Sequence, residues 1–225
     1  ICVLPFANMS GDLEQEYFSD GISEDIITDL SKVSALAVVS RNTAFTFKGK
    51  NVDLPQVARQ LKVNYVLEGS VRRAGGRVRI TAQLIEASSD NHLWAERYDR
   101  DLNDIFALQD EISEAIVTAL KLKLLPEEKK AIEQRGTTNL QAYNLYLMAR
   151  QRYATGQMSD SRRSDTVIRL CRGAIELDPN YARAWALMAT AQRHRMYATG
   201  KGDNGSAAAA RAIELDANLA EAHAA

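Results

Sequence analysis

The phrase Ala174-Ile-Glu-Leu-Asp-Pro-Asn-Tyr-Ala-Arg-Ala-Trp-Ala186 returns almost unchanged, 38 residues on, as Ala212-Ile-Glu-Leu-Asp-Ala-Asn-Leu-Ala-Glu-Ala-His-Ala224. A period of this size marks helical hairpins that cannot bury their apolar faces alone. Such hairpins stack on their neighbours and expose a long surface, which suits binding better than catalysis. The C-terminal third of the chain is therefore expected to be a helical repeat.

Set against the end of a repeat's second helix, the phrase puts Trp185, Met188 and Ala189 on the large, large and small positions of the next helix. In this it resembles the tetratricopeptide family, whose usual period is roughly 34 residues. The surplus falls between two helices, around Gly200 to Gly205. An earlier unit reads from Asn139 to Asn180, with an insertion over Thr155 to Arg163. Tyr143, Tyr146, Met148 and Ala149 lie on its first helix, and Val167, Leu170, Cys171 and Ala174 on its second. The aromatic residues of these helices serve inter-helix packing. The resemblance implies a shallow concave groove that holds an extended protein or peptide partner, often through charge-assisted contacts to a carboxylate. Arg183, Thr190 and Arg193, with Asn144 and Gln151 from the earlier unit, are the expected partner-binding residues.

Residues 1–125 alternate strand and helix signals. Ile1 to Phe6 reads as a short apolar strand, and a helix follows from about Asp20 to Val33 with Ile22, Ile26, Ile27 and Leu30 on one face. Leu36 to Val39 reads as a second buried strand. Pro55, preceded by Asp53, opens a helix carrying Val57, Ala58 and Leu61. Three strands then run from Val63 to Asp99, the first two joined by a Gly75-Gly76 hairpin turn. With a turn that tight, facing residues sum to 151. Leu67, Gly69 and Val71 then oppose Leu84, Ala82 and Ile80 on the core face, while Glu68, Ser70 and Arg72 oppose Gln83, Thr81 and Arg79 on the other. Arginines facing each other across a ladder repel, so these are expected to be solvated or paired with an acid such as Glu96 or Asp99. An amphipathic helix from about Asn103 to Leu124 closes the domain with Ile105, Leu108, Ile112, Ala115, Ile116 and Ala119 inward.

The phrases Val3-Leu-Pro-Phe-Ala-Asn8, Tyr17-Phe-Ser-Asp-Gly-Ile22, Tyr65-Val-Leu-Glu-Gly-Ser-Val71, Arg79-Ile-Thr-Ala-Gln-Leu84 and Leu93-Trp-Ala-Glu-Arg-Tyr-Asp99 are together similar to the TolB amino-terminal-like domain. In bacterial signalling proteins that domain precedes tetratricopeptide repeats. The whole chain resembles the C-terminal regions of class III adenylate cyclases from α-proteobacteria and of CadC-like regulators. This implies a regulatory or interaction module joined to an upstream output domain in the same chain. Both ends look cut, since the chain opens on Ile1 inside a strand and closes at Ala225 on a helix without a partner.

Chemical motifs point the same way. Gly200-Lys-Gly-Asp-Asn-Gly205 matches a dinucleotide-binding glycine pattern, but it follows a helix and lacks the preceding buried strand that such a site needs. Asp203 and Asn204 supply too few oxygens for a calcium loop. His92, His194 and His223 are scattered, and no metal-site spacing, P-loop or nucleophile elbow occurs. Neither a metal nor a cofactor is expected. With 28 basic and 29 acidic residues and a net charge of −1, no global field draws the chain to nucleic acid. The cluster Arg72, Arg73, Arg77 and Arg79 is ordinarily a solvated or ion-paired face. Cys2 and Cys171 read as small buried apolar groups.

The expectation is an α/β (α+β) N-terminal domain over 1–125, with a mixed sheet ending in a three-strand antiparallel meander. A linker with a short helix follows over 126–138, then an all-α tetratricopeptide region over 139–225. The function expected is a non-catalytic regulatory or protein-interaction region of a bacterial signalling protein with an adenylate cyclase-like parent. The alternative is a small-molecule sensor domain of a transcription regulator or cell-envelope assembly protein, with ligand near Asn8, Asp20, Arg41 and Asn42, where polar residues follow buried strands. Location is open between the cytoplasm and the periplasmic side of an inner-membrane protein. Oligomerisation is open too.

Overall fold

A computed structural model describes residues 1–50, 52–134, 136–155 and 161–225, so residues 156–160 of the insertion expected at Thr155 to Arg163 lie outside the described residues. The chain forms two compact units, Ile1–Gln134 and Arg135–Ala225.

The first unit runs β1 (Cys2–Val3), β2 (Ala7–Asn8), α1 (Glu16–Ser31), α2 (Arg41–Ala44), α3 (Leu54–Leu61), β3 (Tyr65–Ala74), β4 (Arg77–Glu86), β5 (Asn91–Asp101), α4 (Ile105–Ala119) and α5 (Pro126–Glu133). Its sheet is mixed. β1 and β2 lie parallel on the same edge of β3, and the antiparallel pairs β3–β4 and β4–β5 follow. Between β1 and β2, Leu4 N–H still donates to Leu67 O at 2.8 Å, but Pro5 has no N–H to give and the ladder is interrupted there. Phe6 N–H donates instead to Ser23 Oγ at 2.8 Å, tying the sheet edge to α1.

The β3–β4 register is the one that a two-residue turn dictates: Leu67 faces Leu84, Gly69 faces Ala82 and Val71 faces Ile80. Only Gly75 has a positive φ, 58°, and Gly76 does not, which is the pattern of a turn with its left-handed residue first. Arg77 and Arg79 both bind Asp99, one on each carboxylate oxygen, which relieves the Arg72–Arg79 opposition across the ladder.

One face of the sheet buries Leu67, Val71, Ile80 and Leu84 with Phe18, Ile22 and Ile26 of α1 and Ile105, Leu108 and Ile112 of α4. Burial at about 25 cal/mol per Å2 makes this the main source of the unit's stability. The stripe on α4 is not wholly apolar. Gln109 and Ser113 are fully buried and reach α1, where Gln109 Nε2 donates to Asp25 at 2.8 Å and Ser113 Oγ to Asp29 at 3.4 Å. Ala115 and Ala119, expected inward, are only half-buried. On the opposite face, Cys2, Leu4 and Val66 pack with Ala44 and Ala58 beneath Phe45 and Phe47.

The strand expected at Leu36 to Val39 is absent. The segment runs beside Ile1 and exchanges two hydrogen bonds with it, Ile1 N to Ala37 O at 2.7 Å and Val39 N to Ile1 O at 2.9 Å, but Ala37 is exposed and no ladder forms. Helix α5 falls in the expected linker over 126–138 but lies within the first unit, with Glu128 and Ile132 buried.

The second unit is helical: α6 (Leu140–Ala154), α7 (Ser161–Leu177), α8 (Ala182–Thr199), α9 (Ser206–Leu215) and α10 (Ala220–His223), each packed on the next across the described residues. The two copies of the repeated phrase build the same corner. Asp178 N and Asp216 N each donate to the carbonyl four residues back, and Asn180 N and Asn218 N each donate to the preceding Asp carboxylate at 3.0 Å. Trp185 Nε1 donates to Pro179 O at 2.9 Å, and His223 Nε2 sits 2.8 Å from Ala217 O at the equivalent place.

Candidate functional site

A cleft of about 510 Å3 opens on the first unit's sheet where the packing of Phe45 and Phe47 gives out. Its floor is the polar stretch of the β3–β4 hairpin, where Glu68 faces Gln83 and Ser70 faces Thr81. One wall is the Leu4–Asn8 chain, and the other is Phe47 to Lys50 with Val52. Between the floor residues, Gly69 turns to the core face, where an added Cβ would sit 2.7 Å from the buried Phe6 ring and collide with Thr81 O.

Lys48 stands at the rim. Its Nζ donates to both oxygens of Asp20 at 2.6 Å and contacts Glu16 Oε1 at 2.9 Å. Burial pushes the Asp20 carboxyl above its ordinary value, and the Lys48 ammonium offsets part of that rise. Ser70 and Thr81 line the cleft, and Glu68 takes a long 3.5 Å bond from Gln83 Nε2. Two hydroxyls, a carboxamide and a carboxylate on one surface suit hydrogen bonding to a small polar ligand.

The structure divides the ligand set expected from sequence. Asn8 lines the cleft, although its side chain holds the local turn, accepting from Ser10 N at 2.9 Å and donating to Asp12 O at 2.8 Å. Asp20 reaches the cleft through Lys48. Arg41 lies outside its lining, paired with Glu24 and stacked 4.0 Å over the Phe45 ring, and Asn42 is an exposed residue of α2. Lys48, Ser70 and Thr81 were not among the expected ligand residues. The signal for two of them was the polar residues at alternate positions of two otherwise apolar strands.

In the second unit, Asn144 and Gln151 lie seven residues apart on α6, and Arg183 and Thr190 seven apart on α8, spacings that keep each pair on one helix face. Arg193 is a turn further along α8. All five are half-buried, and Thr190 Oγ1 donates to its own helix at Ala186 O. Nearby, Tyr153 stacks on His194 with ring centroids 5.6 Å apart and lies under the Arg163 guanidinium. Burial, then the charges of Arg193 and Arg163, lower the His194 pKa.

The glycines at 200–205 serve the chain path. Gly200 ends α8 in the left-handed conformation, φ 66°, and Gly205, φ 84°, passes against the Ala189 backbone, 2.9 Å from its carbonyl carbon for an added Cβ. Asp203 and Asn204 accept from Gly205 N and Ser206 N at the entry to α9. Burial raises both thiols, Cys2 to about 11 and Cys171 to about 12. No described helix is long and apolar enough to cross a membrane.

Residues 1–115 match the family described as HilA/YgeH-like transcriptional regulator, second domain. The chain is also 52% identical over 186 residues to the "Putative adenylate cyclase 3" of Rhizobium meliloti (strain 1021), an alignment that takes in 83% of this chain and 31% of that protein. The chain thus spans about a third of that relative's length. Among solved structures, TolB from Acinetobacter baumannii aligns with 53% of this chain and 27% of its own at 19% identity and a TM-score of 0.41. Lipoprotein GNA1162 from Neisseria meningitidis aligns with 55% of this chain and 97% of its own at 19% identity and a TM-score of 0.39. Since the family match takes in just over half of its residues, the chain belongs to the HilA/YgeH-like transcriptional regulator family, through that family's second domain.

Proposed function

We propose that this chain is the non-catalytic regulatory and protein-interaction region of a bacterial signalling protein, joined in its parent to an adenylate cyclase-like output domain. The observation that carries this reading is the pair of matches taken together. Residues 1–115 match a domain of transcriptional regulators, while the alignment to a protein named as an adenylate cyclase runs well past residue 115 and takes up only 31% of it. A region found beside different outputs is a module that informs them. In this reading the first domain is TolB amino-terminal-like, and the second unit is a tetratricopeptide region that receives a protein partner along Asn144, Gln151, Arg183, Thr190 and Arg193. The identical corners at Asp178 and Asp216 support the repeat.

Two measurements test it. The purified chain, given ATP with Mg2+ or Mn2+, should form no cyclic AMP, and turnover would defeat the reading. In the full-length parent, Arg183→Ala with Arg193→Ala should change the output by several-fold while leaving the melting temperature of this region in place. An unchanged output would remove the repeat face from the proposal.

The cleft supports a second reading, a small-molecule sensor, because Ser70 and Thr81 line it on a floor held rigid by ten ladder positions. A ligand at a hundred times its dissociation constant should stabilise the fold by about 2.7 kcal/mol. A thermal-shift screen of nucleotides, sugars and amino acids without any response would count against it.

A further inference from the structure

Strand β5 is an open sheet edge. It pairs with β4 on one side, no described strand covers the other, and Ala95, Glu96, Arg97, Arg100 and Asp101 are exposed. After an irregularity at Leu84/Ile85, the stretch from Trp94 to Asp101 follows β4 in unbroken register. A long regular edge of this kind is a template for another strand unless something blocks it.

The sequence of the edge names its partner. Outward-pointing N–H and C=O groups fall on alternate residues, so an edge can pair antiparallel with a copy of itself only where facing residue numbers sum to an even value. A sum of 192 sets Glu96 against Glu96, and 194 sets Arg97 against Arg97. A sum of 198 sets Asp99 against Asp99, and 200 sets Arg100 against Arg100. Like charges directly opposite destabilise a ladder. Sums of 188 and 190, centred on Trp94 and Ala95, avoid like charges but set no opposite charges together, whereas 196, centred on Tyr98, sets Glu96 against Arg100 and Arg97 against Asp99, and two-fold symmetry makes each pair twice.

The side chains agree with the backbone. Glu96 and Arg100 share the face of β5 that carries Tyr98, whereas Arg97 and Asp99 share the other, so each pair meets on one side of the joined sheet. Arg97 has no ion pair among the described residues, and Asp99 already lies between Arg77 and Arg79 and is held acidic by them. Arg100 makes one ion pair, a 3.4 Å contact with Glu111 where both side chains are about half exposed, besides a 3.4 Å bond to Asp99 O and a place over the Tyr98 ring. Glu96 accepts from the Tyr98 hydroxyl at 2.5 Å and has no ion pair among the described residues.

We propose that β5 pairs antiparallel with β5 of a second copy of this chain about Tyr98, joining two sheets into one through four interchain ion pairs. Seven residues from each strand span about 24 Å, a small contact, so the dimer is reversible and salt-sensitive. This inference does not rest on the regulatory reading above and survives its failure.

Sedimentation velocity on the 225-residue chain tests it. The mass should rise from one copy to two with concentration and fall back when salt is raised from about 0.05 M to about 0.5 M. Glu96→Arg alone and Arg100→Glu alone each turn two attractive pairs into repulsive ones and should weaken the dimer by about tenfold or more. The double variant restores opposite charges and should dimerise within about threefold of the original. Melting temperatures of all three report whether the fold is kept. As a check independent of any substitution, amide exchange within Trp94–Asp101 should slow as concentration rises. A monomer at every concentration up to about 0.5 mM, a dimer indifferent to both single changes, a double variant no better than the singles, or amide exchange independent of concentration would each overturn the proposal.

Discussion

Glu128 accepts two hydrogen bonds from Ser34 across 94 residues of sequence, one from its N–H at 2.8 Å and one from its hydroxyl at 2.6 Å. Its other oxygen accepts from Leu125 N at 3.0 Å, closing the first turn of α5. One carboxylate therefore ties the turn just after α1 to the start of the last helix of the first unit. The Ser34 hydroxyl, then the Leu125 N–H, then the Ser34 N–H hold it below the usual carboxylate range.

That depression fixes a pH dependence. A carboxyl more acidic in the folded chain contributes stability above its unfolded value, about 4.3 for Glu, and loses it as pH falls through the folded value. Glu128→Ala should therefore lower the melting temperature of the first unit at pH 7 and at pH 5, and the gap to the parent chain should close below about pH 4. A gap of equal size at pH 3, followed by circular dichroism, would show that the loss is one of packing.

Gly69→Ala should destabilise the first unit by about 3 kcal/mol. The added methyl meets Thr81 O and, at 2.7 Å, the Phe6 ring, and the carbonyl belongs to a ladder that cannot shift alone. Chemical denaturation reads this directly, and a change within about 0.5 kcal/mol would mean that the Phe6 wall of the cleft moves freely.

Two glycines of the second unit should respond differently to the same substitution. Gly200→Ala places a methyl in open space at φ 66° and should cost about 1 kcal/mol. Gly205→Ala adds a collision with the Ala189 backbone to a φ of 84° and should cost about 3 kcal/mol or more. Equal losses in urea unfolding would show that the α8–α9 connection tolerates displacement.

Gln109→Leu keeps the size of the side chain but removes the amide that donates to Asp25. It should cost about 1 to 3 kcal/mol, because a buried carboxylate loses a partner. A neutral or stabilising result in thermal unfolding would mean that the remaining neighbours of Asp25 suffice.

The features legible in the sequence are those with local causes. Two adjacent glycines set the β3–β4 register, the spacing of Ile105, Leu108, Ile112 and Ile116 marks the inward face of α4, and the repeated phrase writes the same corner twice. What stayed hidden depends on residues far apart. Gln109 and Ser113 look like the solvent side of α4 until Asp25 and Asp29, 84 residues earlier, come into view. Leu36 to Val39 has the composition of a strand, yet the bonds it makes to the sheet are the two with Ile1. The cleft was half visible: the polar alternation of Glu68, Ser70, Thr81 and Gln83 was plain, whereas Lys48 comes from a loop with no periodic signal.

The close passage of Gly205 against Ala189 also explains how a period of 38 residues coexists with regular helix stacking. The excess length swells outward between Gly200 and Asn204, and the chain is brought back to α8 at a single point before α9 begins. Insertions or deletions tried between 201 and 204 should leave the helices of this unit undisturbed, while the same change placed after 205 would rotate α9 about its axis and carry Ala208 and Ala212 out of their contacts.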